Sequence, residues 1–454
     1  MIPVLLTRQL GIGLDDMFQY DMLARSLALG NGFRWYAPAD LARLAPYLHL
    51  DIATLVLDPR GMLTTFRAPL YPALLAIIYY LNGINDGRFF AARLVQTFLG
   101  ALLAPLTYLT AQHIFLGKER VSKVASWIVA VYPMLLIFPI ALATENLFFL
   151  LVLVSVFFFL KLTDNPSTIN FLLSGFFLGL AALTRSIILG FGVLAILWIW
   201  FGLKQRRGVL LSLVALFLTV SPWIIRNSLL EHKLTGIETS LGYNLYVGYH
   251  PQSSGTFTFG PSLDLLSILD DKTRDEVGTQ KAIQFIEQDP ARFPLLAANR
   301  LGYFFDVEWR AFTYFYVNNF LGYIPPPLLI LILVILGLPF IVLALSNAFG
   351  LAQLLWRPQT VLLALLFIGY LLPHVFILSE ERFHLALIPF FAIVASSFWT
   401  NGFAAFKSRP RIFLWIALVM ASLLMLNWSL EFYRGWPIIS RMLGPNGNKL
   451  YLPY

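Results

Sequence analysis

The chain has no cysteine, which excludes disulfides, thiolate nucleophiles and Cys-based zinc sites and leaves no redox signature of its compartment. Charge is scarce too: only 12% of the 454 residues are Asp, Glu, Lys or Arg, about half the roughly 25% of a soluble protein. Glycine-rich cradles of the kind that hold nucleotide phosphates are missing, which argues against ATP-driven transport. His113, His232, His250 and His374 form no spaced pair. What the chain does have is grease, with 58% hydrophobic residues and a mean hydropathy of +0.74. These proportions indicate a polytopic membrane protein. The net charge of +8 fits basic loops and anionic head groups, and no cluster of bases with stacking aromatics points to nucleic acid.

Apolar runs long enough to span about 30 Å of hydrocarbon lie near 92–115, 122–141, 146–162, 169–185, 187–203 and 209–226. Four more follow a long polar gap, near 325–347, 359–378, 384–400 and 411–428. The run Tyr71 to Leu81, flanked by Arg67, Asn82 and Asp86, is too short for a comfortable span and reads as interfacial or re-entrant. The fourteen residues before Asp15 include Arg8 and are too few to span, so a leading helix is either missing from this chain or absent from the protein.

Basic residues set the orientation. Lys118, Arg120 and Lys123, then Lys204, Arg206 and Arg207, then Lys407, Arg409 and Arg411 occupy three loops that should face the cytoplasm. Threading the spans between them puts 142–145, Arg185, 227–324 and Ser379 to Arg382 on the other face. Four regions follow: 1–68 as a first external loop with interfacial helices, 69–226 as an N-terminal membrane module, 227–324 as a small external region, and 325–454 as C-terminal membrane helices.

In that first loop two acids, Asp15 and Asp16, precede apolar positions Leu23, Ala24, Leu27 and Ala28, the spacing of one helix face lying on the bilayer and stopped by Gly30 and Gly32. Either acid could cap that helix, but two are more than one cap requires. On the same face Arg67, Arg93, Arg185 and Arg382 are candidates to hold an anion, because the guanidinium fork binds phosphate oxygens in pairs; the plain alternative is that each snorkels to head groups. Arg185 ends an almost uncharged stretch and needs a partner, which Glu145 could supply as a structural ion pair. Glu380, Glu381 and His384 share a helix face by i, i+4 spacing and could bind a divalent ion, although solvated loop charge is the preferred reading. Aromatics, at 15%, suit interfacial belts first and sugar stacking second.

The order of these landmarks resembles the type C glycosyltransferases, specifically the bacterial relatives of protein O-mannosyltransferases and of the aminoarabinose transferase that modifies lipid A. Asp16 stands four positions before Tyr20, and Arg67-Ala68-Pro69-Leu70-Tyr71-Pro72 matches a basic-x-Pro-x-Tyr-Pro element. Arg93 opens a long helix, and Leu142-Ala143-Thr144-Glu145-Asn146-Leu147 carries a second external acid. Gly179 to Arg185, Ser221 to Asn227, Gly242 to Gly248 and Glu381-Arg382-Phe383 complete the series. The chain departs from the family in having Asp-Asp where Asp-Glu or a single Asp is common, and His384 where Arg-Tyr-Arg is frequent.

The resemblance implies an all-α polytopic fold of the type C class, with about 10 to 12 transmembrane helices in the cell membrane. It also implies transfer of a sugar, with inversion, from a polyprenyl-phosphate carrier to a lipid, glycan or protein acceptor on the non-cytoplasmic face, with a divalent metal possible. Asp16 is then the general base, with Asp15 as helper or cap. Arg67, Arg93, Arg185 and Arg382 hold the donor phosphate, and Tyr20, Glu145 and Glu381 support them. An aspartate near 3.9 is ionised at neutral pH and is a modest base, strengthened where burial or Asp15 raises its pKa. A transporter or flippase of lipid-linked glycans is the competing class, though no internal repeat supports it. A non-enzymatic assembly subunit would tolerate loss of Asp16.

Overall fold

The computed structural model of the protein describes residues 2–48, 58–85 and 87–452. Asp86, one flank of the short apolar run, and 49–57 of the first loop lie outside the described residues. Among the described residues the only strands are Arg34–Trp35 and Met62–Leu63, a single antiparallel pair; the rest of the regular structure is helix. Long apolar segments must satisfy their own backbone hydrogen bonds in hydrocarbon, and a helix does so within one segment.

Among the described residues seven helices are long and apolar enough to cross a membrane: Gly87–Ile114, Glu145–Asp164, Arg206–Glu231, Pro326–Gln353, Pro358–Phe376, Glu381–Asn401 and Arg411–Met442. An eighth span results if Glu119–Val131 and Pro133–Ile140, bent by 51°, count as one; Pro133, which cannot donate to the preceding turn, sits at the break. The ten long runs read from the sequence fall on these and on two shorter apolar helices, Thr168–Ala182 and Ser186–Gly202. The chain is therefore the all-α, multi-pass membrane protein that its composition indicates. The short run is Leu70–Asn82, whose thirteen residues extend about 20 Å, less than the hydrocarbon thickness.

Glu381–Asn401 is the central helix, with 83% of its apolar window buried, whereas Arg411–Met442 lies at the periphery with 11%. Small residues allow close crossings. A Cβ on Gly175 would lie 2.0 Å from the Ser212 carbonyl, so Thr168–Ala182 packs directly on the backbone of Arg206–Glu231.

Contacts between loops separate the two ends of the bundle. Lys118 reaches Asn401 (3.3 Å), Arg409 donates to the carbonyls of Ala352 and Gln353, Trp198 donates to that of Pro358, and Gln359 meets Thr163, which gathers the three basic loops at one end. Thr163 stands near the C-terminus of Glu145–Asp164. Glu145, at the start of that helix, is about 30 Å away at the other end.

The first loop folds against this second end. Asp16–Ala28 packs on Leu70–Asn82, with Tyr20 edge-on to Tyr71 at 5.2 Å, and its other side is covered by Phe33, Trp35, Tyr36 and Leu41. The helix expected to lie on the bilayer is thus embedded in protein. The reason is that its polar side is also partnered: Asp21 holds Arg25 and Arg88, each at 2.8 Å. Gly30 and Gly32 end it with φ of +76° and +83°, conformations that other residues adopt only with strain. Beyond Arg206–Glu231 the polar region forms Leu241–Tyr249, Asp271–Gln288, Arg292–Phe304 and Arg310–Val317. It is tied to the first loop where Asp271 accepts from Thr64 Oγ1 (2.5 Å) and the Thr65 amide (2.9 Å).

Candidate active site

The acidic motif divides at the helix start. Asp15 is the N-cap, accepting the Met17 amide at 2.8 Å, so the capping role falls to this acid. Asp16 is the first helical residue and its carboxylate is free of the backbone. It accepts a hydrogen bond from Arg67, while Arg382 Nη2 lies 3.6 Å from its second oxygen. One turn on, Gln19 Oε1 accepts from Arg67 Nε (2.9 Å) and Nη2 (2.6 Å), the i, i+3 neighbour completing a two-residue grip. The Arg67 guanidinium lies 5.3 Å from the Tyr20 ring and 5.1 Å from that of Phe66, a cation–π cradle that fixes its plane.

Three helix breaks deliver the remaining charges. Glu145 opens its helix and is 4% exposed; Arg185 follows the end of Thr168–Ala182, and its Nη1 meets Glu145 Oε1 at 2.5 Å. Arg382 is central, with Nε 2.6 Å from Glu380 Oε2 and 3.9 Å from Glu145 Oε1 in addition to its contact with Asp16. Phe383 lies beneath two of the arginines, 5.0 Å from Arg185 and 5.6 Å from Arg382. The side chains of Asp16 and Arg382 are 38% and 36% exposed, so this network opens to solvent at those two groups.

Electrostatics then separate the two acids. Burial pushes the Asp15 carboxyl up, the charge of Asp16 adds to this, and the result is about 6. Burial also raises Asp16, but the charges of Arg67 and Arg382 and the hydrogen bond from Arg67 outweigh it, and its carboxyl sits below the usual range. The condition under which burial or Asp15 would strengthen Asp16 as a base is therefore not met in the free protein: the like-charge effect falls on Asp15, the acid without an arginine grip. Tyr20 is pushed up to about 12, chiefly by burial, so it stays a protonated donor. Asp16 raises Arg67 and Glu145 raises Arg185, in both cases against the cost of burial.

Other sequence candidates lie elsewhere. Arg93 is 1% exposed and donates to four backbone carbonyls, those of Ile140 (2.8 Å), Thr7 (3.2 Å), Leu10 (2.7 Å) and Gly11 (2.8 Å). It anchors the segment leading into Asp15 and does not join the cluster. Glu381 turns away from Arg382, accepting the Arg310 amide at 2.6 Å. Glu380 is buried against Arg382, and His384 is fully buried between the Phe304 carbonyl (2.7 Å) and Glu308 (2.9 Å). Solvated loop charge is thus the wrong description of these three residues. Among the described residues no three His, Asp or Glu side chains form a group able to hold a metal ion. Sequence reading missed Gln19, which its i+3 spacing from Asp16 could have signalled. It also missed Glu238, which accepts from Ser186 Oγ at 2.5 Å and acts electrostatically on Arg67 from the distant 227–324 region.

Comparison with known proteins gives one family match. Residues 66–225 match the model of the dolichyl-phosphate-mannose-protein mannosyltransferase family. That stretch includes Arg67, Arg93, Glu145 and Arg185, while Asp16 and Arg382 lie outside it. No curated protein sequence matches significantly. Among solved structures, ArnT from Cupriavidus metallidurans bound to undecaprenyl phosphate is 12% identical over 97% of this chain and 68% of its own, with a TM-score of 0.47. The Archaeoglobus fulgidus oligosaccharyltransferase in complex with Zn and sulfate is 14% identical over 100% of this chain, with a TM-score of 0.47, and this chain spans 58% of its length. The oligosaccharyltransferase AglB from the same organism, with an inhibitory peptide and a dolichol-phosphate, is 14% identical over 100% of this chain and 60% of its own, with a TM-score of 0.44. Over residues 66–225 the chain is similar to the dolichyl-phosphate-mannose-protein mannosyltransferase family, a likeness in line with its ordered landmarks.

Proposed function

We propose that the protein is an integral-membrane glycosyltransferase that moves a sugar from a polyprenyl-phosphate donor to an acceptor hydroxyl on the non-cytoplasmic face, with inversion at the anomeric carbon. The observation that carries this reading is the convergence of Asp16 with Arg67, Arg185 and Arg382 at the end of the bundle remote from the basic loops, open to solvent at Asp16 and Arg382. Asp16 takes the acceptor proton, the acceptor oxygen forms a bond to C1, and the C1–O bond to phosphate breaks. The polyprenyl phosphate leaves with its charge held by arginine.

The resting network gives this chemistry an order. Arg67, Arg185 and Arg382 all pair with carboxylates in the free protein, so a donor phosphate competes with Asp16 and Glu145 for them. The phosphate charge offsets the cations that depress Asp16, and its proton affinity rises when the donor is in place. A second assignment within the same reading exchanges the acids. Asp15 lacks an arginine ion pair among the described residues and its carboxyl is pushed up to about 6, closer to the pKa of an efficient base at neutral pH. The acceptor class, whether lipid, glycan or protein, is left open by these residues.

Replacing Asp16 with Asn tests the reading. Transfer from a polyprenyl-phosphate sugar to acceptor in proteoliposomes should fall by about 10³-fold, within the range for a lost general base, while insertion and melting stay near wild type. Full transfer by the variant removes Asp16 as the base, and the same result for Asp15→Asn as well removes the acidic motif from the chemistry. Movement of lipid-linked glycan across the membrane without transfer would favour the flippase class instead.

A further inference from the structure

Arg382 is the group shared by the whole network, yet it stands on an unusual support. Residues Glu381–Leu387 form a 3-10 helix of seven residues, longer than the three or four that this geometry normally sustains. With three residues per turn, successive side chains point about 120° apart, so Arg382, Phe383 and His384 leave on three different sides. Arg382 faces the acids. Phe383 lies under Arg185 and Arg382 and stacks on His374 at 4.4 Å, and Tyr370 donates to its carbonyl at 3.1 Å. His384 enters the core.

There the imidazole is held on every side. Nδ1 lies 2.7 Å from the Phe304 carbonyl, which can only accept, so Nδ1 carries a proton. Nε2 lies 2.9 Å from Glu308 Oε1, and the same oxygen accepts from the Tyr132 hydroxyl at 2.6 Å. The Phe340 ring stacks on the imidazole at 3.9 Å with the planes 8° apart. His384 and Glu308 are 0% and 1% exposed, and Glu308 Oε2 has no hydrogen-bond partner among the described residues. An apolar side chain could fill this position without the cost of burying a carboxylate. What the polar pair adds is direction, because two hydrogen bonds at opposite nitrogens fix both the rotation and the height of the ring.

We infer that Glu308 and His384, with Tyr132 behind them, form a buried clamp that positions Arg382 for the donor phosphate. Both are positioning residues: they touch no reacting atom and act through the 3-10 turn. The proposal rests on the glycosyl-transfer reading for the identity of the ligand. The clamp joins three parts of the chain, since Tyr132 stands at the bend between Glu119–Val131 and Pro133–Ile140, Glu308 follows Arg292–Phe304, and His384 opens the central helix. The arginine on which the acids converge is thereby tied to the packing of the bundle.

The test measures donor KM, acceptor KM and the affinity for polyprenyl phosphate alone, each per folded molecule, in Glu308→Gln, His384→Gln, the double variant and Tyr132→Phe. A displaced arginine should raise donor KM and weaken polyprenyl phosphate binding by about tenfold in each of the first two, with acceptor KM within about twofold of wild type. The double variant should be no worse than the poorer single by more than about twofold, because the two residues make one clamp. Tyr132→Phe, which removes a single oxygen, should show about a threefold loss of polyprenyl phosphate affinity. Unchanged donor KM and affinity in the folded single variants overturns the clamp. If those variants do not fold, wild-type affinity in Tyr132→Phe overturns it. Wild-type protein that binds polyprenyl phosphate but never transfers a sugar would sink the transferase reading, and the clamp would still be decided by the affinities.

Discussion

Two sets of arginines in this protein differ in what holds them. Arg93 and Arg300 are at most 1% exposed and are held by backbone carbonyls: four for Arg93, and those of Gly248, Val375 and Phe376 for Arg300. Arg67, Arg185 and Arg382 are held by side-chain carboxylates at the edge of an opening. A carbonyl is fixed in the backbone and neutral, so an arginine caged by carbonyls is mortar. A carboxylate is an anion on a rotatable stem, and a phosphate can take its place. The chemical difference between the two sets is exchangeability.

The largest effect expected from this contrast is at Arg382. Removing it as Arg382→Ala should lower kcat/KM for the lipid-linked donor, per folded molecule, by about 10³-fold, the loss of a charge clamp on a leaving phosphate; the melting temperature falls as well, because the buried Glu380 carboxylate loses its partner at 2.6 Å. Arg382→Lys should recover only part, because a point charge cannot bridge Glu380, Glu145 and Asp16 at once. Wild-type turnover in Arg382→Ala would erase the distinction between the two sets.

At Arg300 stability alone is expected to change. Arg300→Met leaves the carbonyls of Gly248, Val375 and Phe376 without their donor, a destabilisation of about 3 kcal/mol, while donor and acceptor KM per folded molecule stay unchanged. Thermal unfolding in detergent, read beside kinetics on the folded fraction, checks both halves. A kinetic defect without loss of stability would move Arg300 into the functional set.

This contrast also marks where the sequence stops being legible. Apolar runs disclosed the spans, since in lipid the only long-range rule is length and composition. Arg185 stands out because it ends an almost uncharged stretch, and Glu145, the partner the sequence offers it, is the one it meets; Arg93 falls in the same group of candidates, and nothing local says that Arg93 meets carbonyls of residues 7–11 and 140 instead. Glu380 and His384 looked like an i, i+4 pair on an α-helix. The turn there is 3-10, so that spacing sends them to different sides: Glu380 pairs with Arg382 two residues on, and His384 meets Glu308 from another region. Asp16 with Tyr20 was readable because both stand on one ordinary helix, and the same spacing could have disclosed Gln19.

The smallest expected effect applies the same contrast to the acids, and its sign can be worked through. Asp16, gripped by Arg67, stays ionised to low pH, whereas Asp15 takes its proton at about 6. If the Asp15 charge is used in turnover, kcat/KM falls as pH drops through about 6, and Asp15→Asn abolishes that limb while lowering the plateau. Stability runs the other way. A carboxyl at about 6 when folded and 3.8 in its ordinary state binds its proton more tightly when folded, so its stabilising contribution is full below 3.8 and is lost as pH rises through 6. Asparagine caps a helix as well as aspartate, so the N-cap bond to Met17 survives the substitution. Melting curves of Asp15→Asn against wild type should therefore show the variant gaining relative stability between pH 4 and 7, the window of the titration. Parallel curves across that range would mean that Asp15 titrates alike in the folded and unfolded chain, and the division between the two acids would then rest on the arginine grip alone.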